Sequence, residues 1–305
     1  MKPTLLVLAA GMGSRYGGLK QIDPMGPSGE TVLDYSVYDA IRAGFGRVAF
    51  VIREDFAEAF QQGIGSRFAD RIQVDYAFQK LDDLPADFKL PQNRTKPWGT
   101  AHAVRAARQL ISEPFAVINA DDFYGSDAYL RAAKFLTSPH PENLKAHYAM
   151  VGYPLVNTLS EHGDVNRGIC TCSANDGLLS SVEEYVKIQR DPDGIVRGDA
   201  LDGDRKPVSE TSPVSMNFWA FTPGFMDHLE TEFSHFMKTS GHLEKSENYI
   251  PTVVDALIRT GVADCAVLQT TSHWFGVTYP EDKQHVVASI SQLIAHGDYP
   301  VNLAE

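Results

Sequence analysis

The order of strand-like runs and helical spacings in the first 119 residues constrains this fold more than any other feature. Residues 4–9 (TLLVLA) show no polar alternation after Thr4, which predicts a strand buried on both faces. Residues 47–53 (RVAFVIR) predict a second buried strand, residues 72–78 a third and residues 115–119 a fourth. Between them, Leu33, Val37, Ala40 and Ile41 fall at helical spacing within 32–43, and further helices are predicted at 56–61 and 100–111. Alternation of this kind specifies a parallel sheet with right-handed crossovers. Ligands of such sheets sit at the carboxyl ends of the strands. Candidate residues gather there: 11–20 after the first strand, Gln79 after the third, Asp121 and Asp122 after the fourth.

The second half changes character. Strands are predicted at 147–153, 168–172, 178–186 and 214–221, then helices at 224–237, 249–260 and 282–295. Residues 189–213 are polar and rich in Asp and Gly, which predicts a mobile loop or insertion. No low-complexity linker divides the chain. It therefore reads as a single domain over 1–305, with two halves, 1–137 and 138–305. The predicted class is α/β, a Rossmann-like three-layer sandwich around a mixed, mostly parallel sheet.

The formal charge of −12 comes from interspersed acids and bases, which argues against a nucleic-acid or anionic-membrane partner. A small anionic ligand needs only a few local cations and backbone amides. Cys170, Cys172 and Cys265 are too few for a disulfide framework, and no second Cys/His pair stands at metal-ligand spacing. A reducing compartment fits this usage. The apolar run 5–10, preceded only by Lys2, is shorter than the roughly 7–15 residues of a secretion signal. No run approaches the ~18 residues of a membrane span. A cytoplasmic protein without a membrane partner is expected; the sequence leaves open whether it forms a homo-oligomer.

The stretch after the first strand, AAGMGSRYGGLK, contains the chemistry. Gly11 and Gly13 lack a β-carbon, so the chain can turn tightly and bring its amides against a phosphate. The spacing is not that of a P-loop. Nor is it a dinucleotide fingerprint, because Tyr16 stands where the third glycine belongs. Arg15 and Lys20 add a planar fork and a point charge, which suit a triphosphate undergoing cleavage.

LAAGMGSRYGGLKQ resembles the signature of the sugar-1-phosphate nucleotidylyltransferases, and the likeness runs on in order. Residues 78–104 (FQKL…KPWGTAHAV) resemble that family's base-binding glutamine and its Gly-Thr helix start. VINADDFYG resembles its strand ending in a metal-binding aspartate. SSVEEYV resembles its sugar-contacting glutamate strand, and MNFWAF the strand after it. The resemblance covers about residues 4–221, with a looser likeness around Trp274.

What the resemblance implies can be assigned residue by residue. The backbone of Ala10, Gly11, Gly13 and Ser14 would hold the nucleotide, with Arg15 neutralising the departing pyrophosphate. Lys20 would stabilise charge at the α-phosphate. Asp121 would bind Mg²⁺, a hard cation that takes oxygen ligands. Gln79, with Gly99 and Thr100, would read the base. Arg167, Gly168, Glu184, Lys187 and Asn217 would meet the acceptor.

Two departures stand out. Tyr185-Val186 replaces the family's Lys-Pro, so the acceptor phosphate falls to Lys187 or Arg167. Phe275-Gly276 stands where a second metal-binding aspartate would follow a Trp, which leaves Asp122, or water and phosphate oxygens, to complete the metal's shell. His102 is expected to pack rather than catalyse, and Glu30 and Thr31 to cap the next helix.

The implied fold is the GT-A-like nucleotidyltransferase fold. The implied reaction transfers NMP from a nucleoside triphosphate, UTP or dTTP, to a sugar 1-phosphate by in-line attack. Two alternatives stay open. One is a cytidylyltransferase with phosphocholine or a phosphonate as acceptor, whose ammonium would need aromatic partners such as Tyr153, Trp219 or Trp274. The other is a non-catalytic nucleotide or sugar sensor.

Overall fold

The computed structural model describes residues 1–11, 23–139, 145–160, 163–200, 203–276 and 282–304. Among these, the first half alternates as the sequence predicts. β1 (Thr4–Leu8) is followed by α1 (Val32–Ala43), β2 (Arg47–Ile52), α2 (Ala57–Gly63), β3 (Gln73–Phe78), α3 (Thr100–Arg105), β4 (Phe115–Asn119), the short β5 (Asp122–Phe123) and α4 (Ser126–Thr137). The second half adds β6 (Ala146–Pro154), β7 (Val165–Cys172), β8 (Leu179–Arg190), β9 (Val196–Ala200), β10 (Arg205–Pro207) and β11 (Pro213–Phe221). Then come α5 (Phe225–Ser240), α6 (Ile250–Arg259), β12 (Ala263–Gln269), β13 (Phe275–Gly276) and α7 (Asp282–Ala295).

One sheet has the order β10-β9-β8-β7-β11-β4-β1-β2-β3, with β6 joined to β11 and β12. The four strands β4, β1, β2 and β3 are mutually parallel, so their carboxyl ends share one edge. Two-residue periodicity divides β1 between two cores. Leu5 and Val7 pack with α1 and α4, whereas Leu6 packs with residues of α3, α5 and α6 on the opposite face. That division produces the three layers.

The start of α1 is chemically specified. Thr31 accepts from the Asp34 amide and Asp34 accepts from the Thr31 amide, and Gly44 ends the helix at φ 94°. Glu30 does not cap. It accepts instead from the amides of Ser28 and Leu303 and so ties the C-terminal segment to the turn before α1.

Residues 189–213 overturn the loop reading. Among those described, β8 continues to Arg190 and the chain returns through β9 and β10 as an antiparallel arm. Antiparallel pairing is therefore more extensive than the sequence predicted. Buried Val196, Gly198 and Ala200 alternate with Arg197 and Asp199, and the outward charges join an ion-pair network with Asp191 and Arg205. The cysteines are free; burial holds the Cys170 thiol well above its usual range, pushed up to about 12. No helix among the described residues is long and apolar enough to cross a membrane.

Candidate active site

β11 is where the sheet opens. Val214 and Ser215 pair with β7, but Trp219 to Phe221 pair with β4, so the neighbour on that side changes within one strand. The register against β6 shifts between Ser215 and Trp219, and Asn217 inside that shift has φ 62°. A non-glycine residue in this region is held by its surroundings. Here, Asn217 Nδ2 donates to Asn119 Oδ1 at 2.7 Å, and Trp219 Nε1 donates to Asn217 Oδ1 at 3.1 Å. Thus the point where the sheet changes partner is locked to the carboxyl end of β4.

Asn119 passes the lock to the carboxylates. Its Nδ2 donates to Asp122 Oδ2 at 2.9 Å, and the Tyr124 hydroxyl lies 3.2 Å from the same oxygen and 2.9 Å from the Met216 carbonyl. Burial, then the adjacent Asp121 charge, pushes Asp122 up to about 7. Arg167 opposes that shift and is itself lowered to about 10 by burial, with Asp122 and Glu184 pulling it back.

The missing aspartate after Trp274 has a steric reason. β13 pairs Gly276 with Asp122, and a β-carbon on Gly276 would lie 2.6 Å from Asp122 Oδ1 and 2.9 Å from the Trp274 ring. No side chain fits there without displacing the carboxylate. Among the described residues, no group of three or more His, Cys, Asp or Glu could hold a metal ion. Asp121 and Asp122 are adjacent hard oxygen donors. They fit Mg²⁺, which binds through one or two carboxylates when phosphate and water complete its shell.

The predicted residues fall into two groups, one toward the shared parallel edge and one on the antiparallel strands β7, β8 and β11. Gln79 follows β3, where its Nε2 lies 3.4 Å from the Gly99 carbonyl and 3.1 Å from His102 Nδ1. Gly99 has φ 97°, and a β-carbon on it would lie 2.3 Å from the Asn248 carbonyl oxygen. The Thr100 hydroxyl accepts from the Ile250 amide at 3.1 Å, and the Ala101 amide donates to the Asn248 carbonyl. The start of α3 is therefore sewn to 248–250, which narrows what it can offer a base. Ala10 is buried and Gly11 exposed at the end of β1. Gly13, Ser14, Arg15 and Lys20 lie outside the described residues.

On the acceptor side, Gly168 pairs with Glu184, whose carboxyl lies over the glycine at 3.1 Å from where a β-carbon would be. Burial raises Glu184, and Arg167 offsets it. Lys187, at φ 52°, donates its amide to Asn166 and pairs its ammonium with Asp199 at 3.3 Å. Arg167 donates to the Thr158 hydroxyl and carbonyl and sits 5.0 Å over the Trp274 ring. A cavity of about 600 Å³ is lined by Arg167, Lys187, Trp274 and Gly276, among others. Sequence reasoning missed Asn119 as the connector between Asn217 and Asp122. Its signal was a polar side chain at the last position of a buried strand.

The nucleotidyl transferase family model matches residues 4–165, just over half of the chain. The chain belongs to the nucleotidyl transferase family. No curated protein matches it significantly. Among solved structures it is similar to a putative glucose-1-phosphate thymidylyltransferase from Bacillus anthracis in complex with a sucrose (TM-score 0.62, 13% identity, 94% of each chain covered). It is also similar to a UDP-glucose pyrophosphorylase complexed with UDP-glucose (TM-score 0.58, 15% identity, 96% of this chain and 99% of that one). A third is the inositol-1-phosphate CTP transferase from T. maritima (TM-score 0.57, 13% identity, 96% of each). At these identities the likeness carries the nucleotidyltransferase fold, not the substrate.

Proposed function

We propose that this family member transfers a nucleotidyl group from UTP or dTTP to a sugar 1-phosphate, releasing pyrophosphate. The observation that carries the reading is the division of the parallel edge. Gln79 stands at the end of β3, and the Asn119–Asp122 network stands at the end of β4, three strands away in the sheet. Strand spacing makes that ~14 Å, which suits a nucleotide laid along the edge with its base at β3 and its phosphates at β4.

Asp121, with Asp122 beside it, would hold Mg²⁺. The ion would supply neutralising charge at the phosphates. Asn119 and Tyr124 keep Asp122 oriented, so its carboxylate needs no rearrangement on binding. Arg167, Glu184 and Asn217 would align the acceptor, whose phosphate oxygen attacks the α-phosphorus in line. Arg15 and Lys20 would neutralise the pyrophosphate and the transferring group. Positioning and electrostatics suffice for such a transfer.

The ammonium-acceptor alternative finds little support. Tyr153 and Trp219 are fully buried in the core, and Arg167 already covers the Trp274 ring. Pyrophosphate release, measured with each nucleoside triphosphate, Mg²⁺ and a panel of sugar 1-phosphates, tests the proposal. Release should appear with UTP or dTTP. Lys20→Ala should abolish turnover while triphosphate binding persists. Tight nucleotide binding by a wild type without turnover would replace the enzyme with a sensor.

A further inference from the structure

His102 has no exposed surface, and its ring lies against Phe233 with centroids 5.0 Å apart. Its two nitrogens meet chemically different groups. Nε2 is 2.9 Å from the Asp83 carbonyl oxygen, and Nδ1 is 3.1 Å from Gln79 Nε2. A carbonyl oxygen can only accept, so Nε2 must carry a hydrogen. Burial lowers the imidazole to about 4, with Arg105 and Arg108 adding to the shift against the pull of Asp83. The ring therefore holds one proton, and Nδ1 presents a lone pair.

Only an N–H can face that lone pair, so Gln79 must turn its amino group inward. The second hydrogen of the same group has the Gly99 carbonyl at 3.4 Å. Both donors of the carboxamide are then directed into the protein. The carbonyl oxygen Oε1 lies on the opposite side of the planar amide.

We infer that His102 is a positioning residue that fixes Gln79 as an acceptor toward the nucleotide base, so that the site selects pyrimidines with a ring N3–H over those with a bare N3. Uracil and thymine present the imide hydrogen, whereas cytosine presents a lone pair to the same oxygen. The inference rests on the nucleotidyl-transfer reading above, with Gln79 at the base. The restraint acts through neutral hydrogen bonds in a dry interior, where an unmatched polar contact is costly. His102 itself touches no substrate in this arrangement.

Two measurements on the full chain test it. The first needs no substrate: ¹⁵N-histidine NMR, with His102 identified by its loss in His102→Asn, should show a protonated Nε2 and a bare Nδ1 from about pH 5 to 8. A protonated Nδ1 overturns the inference. The second is the ratio of kcat/KM for UTP over CTP, and for dTTP over dCTP. The wild type should favour the imide base, and His102→Asn, whose amide can take either orientation, should lower the ratio about tenfold through KM. Inhibition by inorganic tripolyphosphate, which has no base, should be unchanged. A wild type that favours CTP, or a variant with the wild-type ratio, overturns the inference and leaves nucleotidyl transfer standing. A wild type without turnover on any triphosphate overturns the transfer reading and the base selection with it. If His102→Asn does not fold, Gln79→Ala, which keeps the ring but removes the donor facing Nδ1, identifies the His102 resonance by its shift, and the wild-type tautomer and ratio then decide.

Discussion

The nucleotide edge and the acceptor arm are held by opposite physics. At the end of β3, Gln79 meets His102 and Gly99 through neutral hydrogen bonds, Trp98 Nε1 donates to the Leu81 carbonyl, and His102 and Trp98 have no exposed surface. In the arm, β8 to β10 are laced by ion pairs: Arg190 to Glu210, Arg197 to Asp191 and Asp193, Arg205 to Asp191 and Asp199. Neutral bonds in a dry interior fix geometry, because each unmade bond leaves a desolvated group. Exposed ion pairs are individually weak and screened by salt. The edge proposed to read the base is thus rigid by construction, and the arm proposed to offer Glu184 and Lys187 to the acceptor is adjustable.

The largest effect should come from breaking the rigid side at Gly99. A β-carbon there would meet the Asn248 carbonyl oxygen at 2.3 Å on a backbone at φ 97°. Gly99→Ala therefore combines left-handed strain with overpacking against main chain. We expect a loss of roughly 3 kcal/mol in denaturant midpoint analysis. Loss of base discrimination should accompany it as 98–101 pulls away from 248–250. A neutral Gly99→Ala would mean that this edge yields as readily as the arm.

Proton titration separates the regions next. Asp39, in α1 behind the parallel strands, is buried with Tyr299 donating to it at 2.6 Å, and burial pushes its carboxyl up to about 7. Arg42 nearby pulls the other way. The folded pKa lies above the unfolded one, so Asp39 stabilises most below about pH 4, and that stability is lost as pH rises through about 7. Between pH 5 and 8 the loss should be on the order of 2 kcal/mol. Asp39→Asn keeps an acceptor for Tyr299 and should flatten the curve of Tm against pH. The arm carboxylates behave oppositely: hydrogen bonds from Arg205 and Arg197 hold Asp191 low, so its contribution is present at neutral pH and lost in acid.

How much of this was legible follows the same division. The bounds of α1 and β4 were readable because a capping box, a C-terminal glycine and an unbroken apolar run are local signals. The arm was not, because its stability comes from pairing Asp191, Arg197 and Arg205 across strands, and in sequence those residues look like a loop. α4 and β12 escaped notice as well. Yet Ala128, Tyr129, Ala132, Ala133 and Leu136 carried a helical stripe that is buried in the fold. At the candidate site, Gln79 and Asp121 were legible as strand-end residues, whereas Gly99 and Thr100 were named only through the family's Gly-Thr helix start. The left-handed Asn217 and its bond to Asn119 depend on a register shift between β11 and β6, which no local pattern encodes.

The smallest effect should lie in the arm. Asp199 accepts from Arg205 at 3.1 Å and pairs with Lys187 at 3.3 Å. Asp199→Asn removes the charge that anchors Lys187 but no buried contact, so Tm should move by less than about 2 °C. Added salt should narrow the difference in Tm between wild type and variant, since screening weakens the interaction that the variant lacks. Released from Asp199, the Lys187 ammonium is free to meet the acceptor phosphate, and the acceptor KM should fall severalfold at low salt while the UTP KM stays constant. A drop in Tm comparable to that of Gly99→Ala would show that the arm's charges fix geometry as firmly as the buried bonds beside Gln79, and the contrast between the two regions would collapse.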